Sequence, residues 1–184
     1  MVQELSRVAF FFLRHGETDW NAQGLSQGRT DVALNAVGLM QAHTAARRLA
    51  RHGIVAIVSS PLQRAQQTAS IVGSVLELDC ATDPDLQETS FGEQEGRKMG
   101  PWYDDWVAES YTPAGGETFA DLRARATRAM NRTLARPGPV LVVAHGGVFR
   151  AVRAQMGLSP LVRTENGAPL HCVPGDPWSL NPVE

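Results

Sequence analysis

Apolar residues recur along the chain in two rhythms. Three short runs, VAFFFL at 8–13, IVAIVS at 54–59 and PVLVVA at 139–144, are continuous and rich in β-branched or aromatic side chains. They lack the alternation of a strand with one wet face, and so predict strands buried on both sides. Elsewhere the apolar positions follow a helical period. Leu39, Ala42, Ala46 and Leu49 form one stripe; Leu62, Ala65, Ala69, Val72 and Leu76 form a second; Phe119, Leu122, Ala126, Ala129 and Met130 form a third. Such spacing puts one face of a helix against a core. The third helix is expected from Phe119 to about Ala135, a fourth over Val148 to Met156, and a last strand within 163–173. Asn35 is the expected cap of the first helix. Ser60 is that of the second, with Pro61 at the first helical position, where a missing N–H costs nothing. Alternating strands and helices predict an α/β fold with three layers, a mainly parallel sheet with helices on both faces.

Composition narrows the function more than the fold. A chain of 184 residues fits one domain spanning 1–184. A net charge of −2 and a pI near 6.2 argue against a polyanion-binding surface, so nucleic acid is not an expected partner, although a small basic pocket remains compatible. Arg125, Arg128, Arg132 and Arg136 recur along the third helix and read as a solvated face. Cys80 and Cys172 form no CxxC pair, which leaves a zinc site or disulfide framework without support and fits a reduced, cytoplasmic setting. VAFFFL is flanked by charge, as a strand is and a leader is not, and no apolar stretch approaches the ~20 residues that span a bilayer. No membrane partner is expected. A homodimer remains open. Residues 97–114, with Gly100, Pro101, Pro113, Asp104 and Asp105, have the composition of a short lid. Within it Trp102, Tyr103 and Trp106 either stack a ligand or pack a short helix, and packing is the default.

The chemistry gathers where the apolar runs stop. VAFFFL is followed by Arg14 and His15, IVAIVSS by Pro61 and Arg64, PVLVVA by His145 and Gly146. Ligands of open parallel sheets bind outside the carboxyl ends of the strands. Two arginines and two histidines there, beside the glycines of HGET and HGGV at helix starts, make an anion site suited to a phosphoryl group. Two guanidinium forks neutralise a phosphoryl dianion as a magnesium ion otherwise would, so neither metal nor cofactor is expected. A neutral imidazole can then attack phosphorus, giving a phosphohistidine. The departing alkoxide needs a proton from a carboxylic acid of raised pKa. Glu88, in DLQETSFGEQEG, is the candidate, with Glu93, Glu95 and Glu117 as competitors that spacing alone does not separate.

The blocks RHGE with Thr18 and Asn21 following, SSPLQRAQQTA, the ExxFGxxEG spacing from Glu88, GGET at 115–118 and HGG at 145–147 resemble, in order, the histidine phosphatase superfamily, the phosphoglycerate-mutase-like group. The resemblance covers about residues 8–150. It implies that His15 is the phosphorylated nucleophile, that Arg14, Arg64 and His145 hold the phosphoryl group, and that Glu88 is the proton donor. It also implies substrate contacts at Asn21, Gln27, Gly28, Glu117 and Gly146, and an α/β fold with no metal. Gln94, where many members have tryptophan, and Ala33, in place of a frequent proline, depart from the pattern.

Only 18 residues, 97–114, separate FGEQEG from GGET, a short cover for an enzyme that must keep a phosphoenzyme dry. Hydrolysis of a small phosphate ester is therefore expected, ahead of mutase-type phosphoryl transfer and of a non-catalytic phosphate-binding module. Sugar phosphates, phosphoglycerate, α-ribazole phosphate and phosphoprotein all remain open as substrates. Arg97, Lys98 and the lid aromatics are expected to discriminate among them.

Overall fold

The structure is a computed structural model that describes residues 3–184. In chain order its elements are β1 (Phe10–Arg14), α1 (Asp19–Ala22), α2 (Ala36–Leu49), β2 (Ala56–Ser59), α3 (Gln63–Leu76), β3 (Cys80–Thr82), α4 (Trp102–Val107), α5 (Phe119–Leu134), β4 (Val140–Ala144), α6 (Gly146–Gln155), β5 (Pro169–Val173) and β6 (Ser179–Pro182). Short 3-10 turns cover Pro84–Leu86 and Gly92–Gln94. The six strands form one sheet in the order β3-β2-β4-β1-β5-β6. The pairs β3–β2, β2–β4 and β4–β1 are parallel, while β5 and β6 are added antiparallel beyond β1.

The continuous apolar runs are explained by what lies on each side of the sheet. Phe10 and Phe12 of β1, with Val140, Val142 and Ala144 of β4, pack against Leu122, Ala126 and Met130 of α5 and against Val148, Phe149 and Val152 of α6. The intervening residues Phe11, Leu13, Leu141 and Val143 face Ala45, Ala46 and Leu49 of α2 and Ala65, Ala69 and Val72 of α3. Alternate residues thus enter two separate cores, and the strands can be apolar at every position. Phe12 stacks on Phe149 at 4.0 Å between centroids, which fixes α6 over β1.

Several sequence expectations shift. Asn35 caps α2 as expected, its side chain accepting from Gly38 N at 2.8 Å, but Leu39 is exposed and the buried stripe runs through Ala42, Ala45, Ala46 and Leu49. Ser60 does not cap α3. The helix begins two residues later, at Gln63, and its free N–H is taken by Asp31 Oδ1 from a distant loop at 2.8 Å. The last-strand expectation holds only for 169–173, which pair antiparallel; Arg163 to Ala168 form the loop before it. Arg125 is buried among polar partners, so the arginine row is not uniformly a wet face; Arg132, which is exposed, pairs with Asp83 and Asp85. Among the described residues no helix is long and apolar enough to cross a membrane.

Candidate active site

Adjacent parallel strands bring the two histidines together. Arg14 of β1 pairs with Ala144 of β4, so the next residues, His15 and His145, leave the sheet side by side. His15 N donates to Ala144 O at 3.0 Å, and the rings sit with centroids 5.1 Å apart. The following strand end, that of β2, leads through Ser60 and Pro61 into α3, whose second residue is Arg64.

The tautomer of His15 follows from its two neighbours. Its Nδ1 lies 2.7 Å from Gly16 O, a carbonyl that can only accept, so Nδ1 carries the proton. Its Nε2 lies 3.3 Å from Arg64 Nε, a group that can only donate, so Nε2 presents a lone pair. Burial, reinforced by the guanidinium groups of Arg64 and Arg14, pushes this imidazole well below the ordinary histidine pKa. The ring is neutral at physiological pH. His145 is shifted the same way by burial and then by Arg64, His15 and Arg14. Its Nε2 lies 2.6 Å from Ser60 Oγ, while Nδ1 is buried without a partner among the described residues.

Arg64 is almost completely buried, and the main chain fixes its fork: Nη1 donates to Thr30 O at 3.0 Å and Nη2 to Gly28 O at 2.8 Å. Arg14 donates through Nη1 to Thr164 O at 2.7 Å, and its buried Nε has no partner among the described residues. Burial lowers the Arg14 pKa to about 10, which still leaves it charged at neutral pH. An unpartnered donor on a buried cation is costly unless an anion arrives to accept from it.

Glu88 is 8 % exposed. Its Oε1 accepts from Thr89 N at 3.0 Å and its Oε2 from Gly147 N at 2.9 Å, so the carboxylate occupies the N-terminal end of α6. A Cβ on Gly147 would collide with that carboxylate. Behind Glu88 a second layer holds the main chain: Arg125 donates to the carbonyls of Asp85, Gln87 and Glu88 at 2.8, 2.6 and 3.1 Å. Arg125 is itself gripped by both oxygens of Glu117, at 2.6 and 2.7 Å.

These groups open onto one cleft of about 230 Å³. Arg14, His15, Arg64, Glu88, Asn21, Gln27, Gly28 and Gly146 all line it. His145 is fully buried beside His15. Glu117 is the exception. It does not line the cleft, because its carboxylate is spent on Arg125 and, at 3.3 Å, on Arg29. Of the lid residues, Tyr103 lines the cleft. Trp106 is wholly buried and donates to Glu117 O at 2.8 Å, while Trp102 packs edge-on against Phe91. Packing is what those two tryptophans do. Arg97 and Lys98 do not line the cleft; Lys98 is drawn to Gln23 O at 2.6 Å.

Other contributors have no site role assigned from the sequence, although Thr68 and Ser60 lie within SSPLQRAQQTA. Thr68 Oγ1 accepts from Gly16 N at 3.1 Å, and Asn166 Nδ2 donates to His15 O at 2.9 Å and to Asn21 Oδ1 at 3.2 Å, fastening the loop after His15 from two directions. Gly16 and Gly38 meet backbone to backbone: a Cβ on Gly16 would collide with Gly38 O, and one on Gly38 with Glu17 O. Ser60, read as a helix cap, is instead the partner of His145.

The sequence matches the histidine phosphatase superfamily (branch 1) over residues 10–168. The chain belongs to this superfamily. A relative named "Probable phosphoglycerate mutase GpmB" from Yersinia enterocolitica is 37% identical over 172 residues, covering 88% of this chain and 76% of its own. A "Bifunctional protein" of Mycobacterium tuberculosis is 42% identical over 144 residues, 72% of this chain and 40% of that longer one. Among solved structures, a mycobacterial glucosyl-3-phosphoglycerate phosphatase complexed with VO3 superimposes with a TM-score of 0.83 at 30% identity, covering 95% of this chain and 97% of its own. The α-ribazole phosphatase of Shigella flexneri gives 0.81 at 27% identity, with 96% of each chain covered. Superfamily membership and these neighbours support a phosphatase or mutase.

Proposed function

We propose that this chain is a metal-independent phosphomonoesterase that hydrolyses a small phosphorylated metabolite through a phosphohistidine at His15. The observation that carries the reading is the lone pair on His15 Nε2, set by Gly16 O on the opposite nitrogen and flanked by Arg64. In the first step Nε2 attacks phosphorus and the ester P–O bond breaks. Arg14, Arg64 and His145 hold the phosphoryl oxygens, and protonated Glu88 delivers its proton to the leaving alkoxide. In the second step water attacks the same phosphorus, its proton passes to the Glu88 carboxylate, the P–N bond breaks, and phosphate leaves with His15 neutral again. Asn21, Gln27, Gly28 and Gly146 line the substrate's path.

Three observations favour hydrolysis of a small ester. The cleft, at about 230 Å³, lies below the ~300–1,000 Å³ of sites for drug-sized ligands. The similar structures carry phosphatase names, and one of them is a complex with VO3. The segment between FGEQEG and GGET is short. Mutase-type transfer is the second reading, favoured by the name of the Yersinia relative.

Quenching the enzyme during turnover of an aryl phosphate is expected to trap an acid-labile, alkali-stable phosphoryl label on His15, and activity is expected to persist in excess chelator. His15→Ala, still folded by circular dichroism, should lose turnover; equal activity in that variant removes the assignment. Conversion of 3-phosphoglycerate to its isomer with a persistent label would select the mutase reading instead.

A further inference from the structure

The cleft holds more positive charge than a phosphoryl group requires. Four arginines line it, Arg14, Arg64, Arg150 and Arg163, against a single acid, Glu88. None of the four is within ion-pair distance of a carboxylate among the described residues; the ion pairs present involve Arg29, Arg123, Arg125 and Arg132. A phosphoryl dianion at His15 balances Arg14 and Arg64. Arg150 and Arg163 remain uncompensated, and Arg163 is close enough to Arg14 to help depress its pKa.

The two extra arginines are presented on a fastened loop. Arg153 Nε donates to Ser159 O at 2.8 Å, Arg150 Nη1 to Pro160 O at 2.8 Å, and Arg14 Nη1 to Thr164 O at 2.7 Å. Three arginine-to-carbonyl bonds thus clip residues 159–164 to α6 and to the end of β1, and Arg163 projects from between the last two clips. Arg150 also lies over the ring of Tyr103, 4.8 Å from its centroid, which restricts its guanidinium to one side of the cleft. Tyr103 is buried, its ionisation suppressed by that burial, and it lines the cleft together with Glu88 and Arg14. It therefore stands as a neutral phenol near the acid proposed to protonate the leaving oxygen. No hydroxyl bond to the protein satisfies it among the described residues, so it is free to donate to a ligand.

We infer that Tyr103, Arg150 and Arg163 form a second anion subsite on the leaving-group side of the cleft, and that the substrate is a phosphate monoester whose alcohol portion carries its own oxyanion, a carboxylate or a second phosphate. The inference rests on the phosphatase reading and narrows it. A neutral or cationic alcohol would leave two cleft-lining arginines without a counter-charge, whereas an anionic one turns that excess of positive charge into recognition.

The test compares substrates matched in their phosphate ester but not in the second group. One arm sets 3-phosphoglycerate against glycerol 3-phosphate, which differ in a carboxylate; the other sets fructose 1,6-bisphosphate against fructose 6-phosphate, which differ in a phosphate. In at least one arm the doubly anionic member is expected to show kcat/KM at least tenfold higher, through KM more than kcat. That ratio should fall toward one in Arg163→Gln and in Arg150→Gln. It should also shrink as salt rises from 50 to 300 mM, because Arg163 is exposed and its field is screened. Equal kcat/KM in both arms, or a ratio that survives both substitutions, overturns the subsite. Para-nitrophenyl phosphate separates the two levels: no turnover of it at all removes the phosphatase reading, whereas turnover without a preference in either arm removes the subsite alone.

Discussion

Replacing Arg125 by Met tests whether the layer behind Glu88 is structural support or incidental packing. The guanidinium makes five short contacts: two to Glu117, at 2.6 and 2.7 Å, and three to the carbonyls of Asp85, Gln87 and Glu88, at 2.8, 2.6 and 3.1 Å. Its side chain is 8% exposed and that of Glu117 13%. Removing one partner of a buried pair typically costs about 3–5 kcal/mol, because the other charge stays buried. Glu117 keeps a contact to Arg29 at 3.3 Å, but Arg29 is 41% exposed and screened, so the expected loss is near the lower end, about 3 kcal/mol. Glu117→Gln keeps an oxygen facing the guanidinium and should cost less, about 1–2 kcal/mol. Urea denaturation of the two single variants and the double variant gives the coupling directly, and a positive coupling of at least about 1 kcal/mol is expected. In catalysis, releasing three carbonyls lets Glu88 drift, so kcat should fall more than KM rises, most for substrates with poor leaving groups. A loss of stability below about 1 kcal/mol for Arg125→Met, with unchanged kcat, refutes the reasoning.

Three further outcomes follow from the same geometry. His15 and His145 are held neutral in the folded protein, below the ordinary histidine value of 6.5 that applies when unfolded; the unfolded chain therefore binds more protons below that pH, and stability should be intact above about 6.5 and fall as the pH drops below it. Each ring contributes up to about 1.4 kcal/mol per pH unit, so urea midpoints from pH 8 to 5 should show a shallower slope in His15→Asn, and an unchanged slope would exclude the effect. Ser60→Ala leaves both nitrogens of buried His145 without a protein partner, and is expected to cost about 1–3 kcal/mol of stability, with kcat for an aryl phosphate lowered roughly tenfold; wild-type kcat would show that Ser60 does not orient the ring. Glu88→Gln should spare p-nitrophenyl phosphate, whose leaving group needs no proton, and strongly slow an alkyl phosphate; an equal effect on both would argue against Glu88 as the proton donor.

The sheet and the strand-end chemistry were legible in the sequence because both depend on local patterns. VAFFFL and PVLVVA read as doubly buried strands since the two cores claim alternate residues of each, and Arg14, His15, Arg64 and His145 were visible as the residues that end such runs. What escaped depends on pairs distant in sequence. Arg125 sits on a helix at the same spacing as the exposed Arg128 and Arg132, and only the approach of Glu117 and of the carbonyls at 85–88 makes it a buried clamp. The GGE match at Glu117 implies a substrate contact without saying which side of the wall the side chain serves, and its carboxylate faces Arg125 and Arg29. Ser60 has the residue type and position of a cap, and the helix start two residues later frees its hydroxyl for His145. Asn166, Arg163 and Thr164 lie in a loop with neither period nor motif, and their roles arise only where that loop meets β1 and α6.

The abutting glycines at 16 and 38 make the resting position of the loop after His15 a property of a helix elsewhere in the chain. Because main chain touches main chain there, no rotamer is available to absorb a misfit, and even one added methyl must be accommodated by displacing the segment that carries His15. Directed evolution toward new substrates therefore has a forbidden seam: libraries that mutate these two positions will mostly sample chains in which the His15 ring has been displaced.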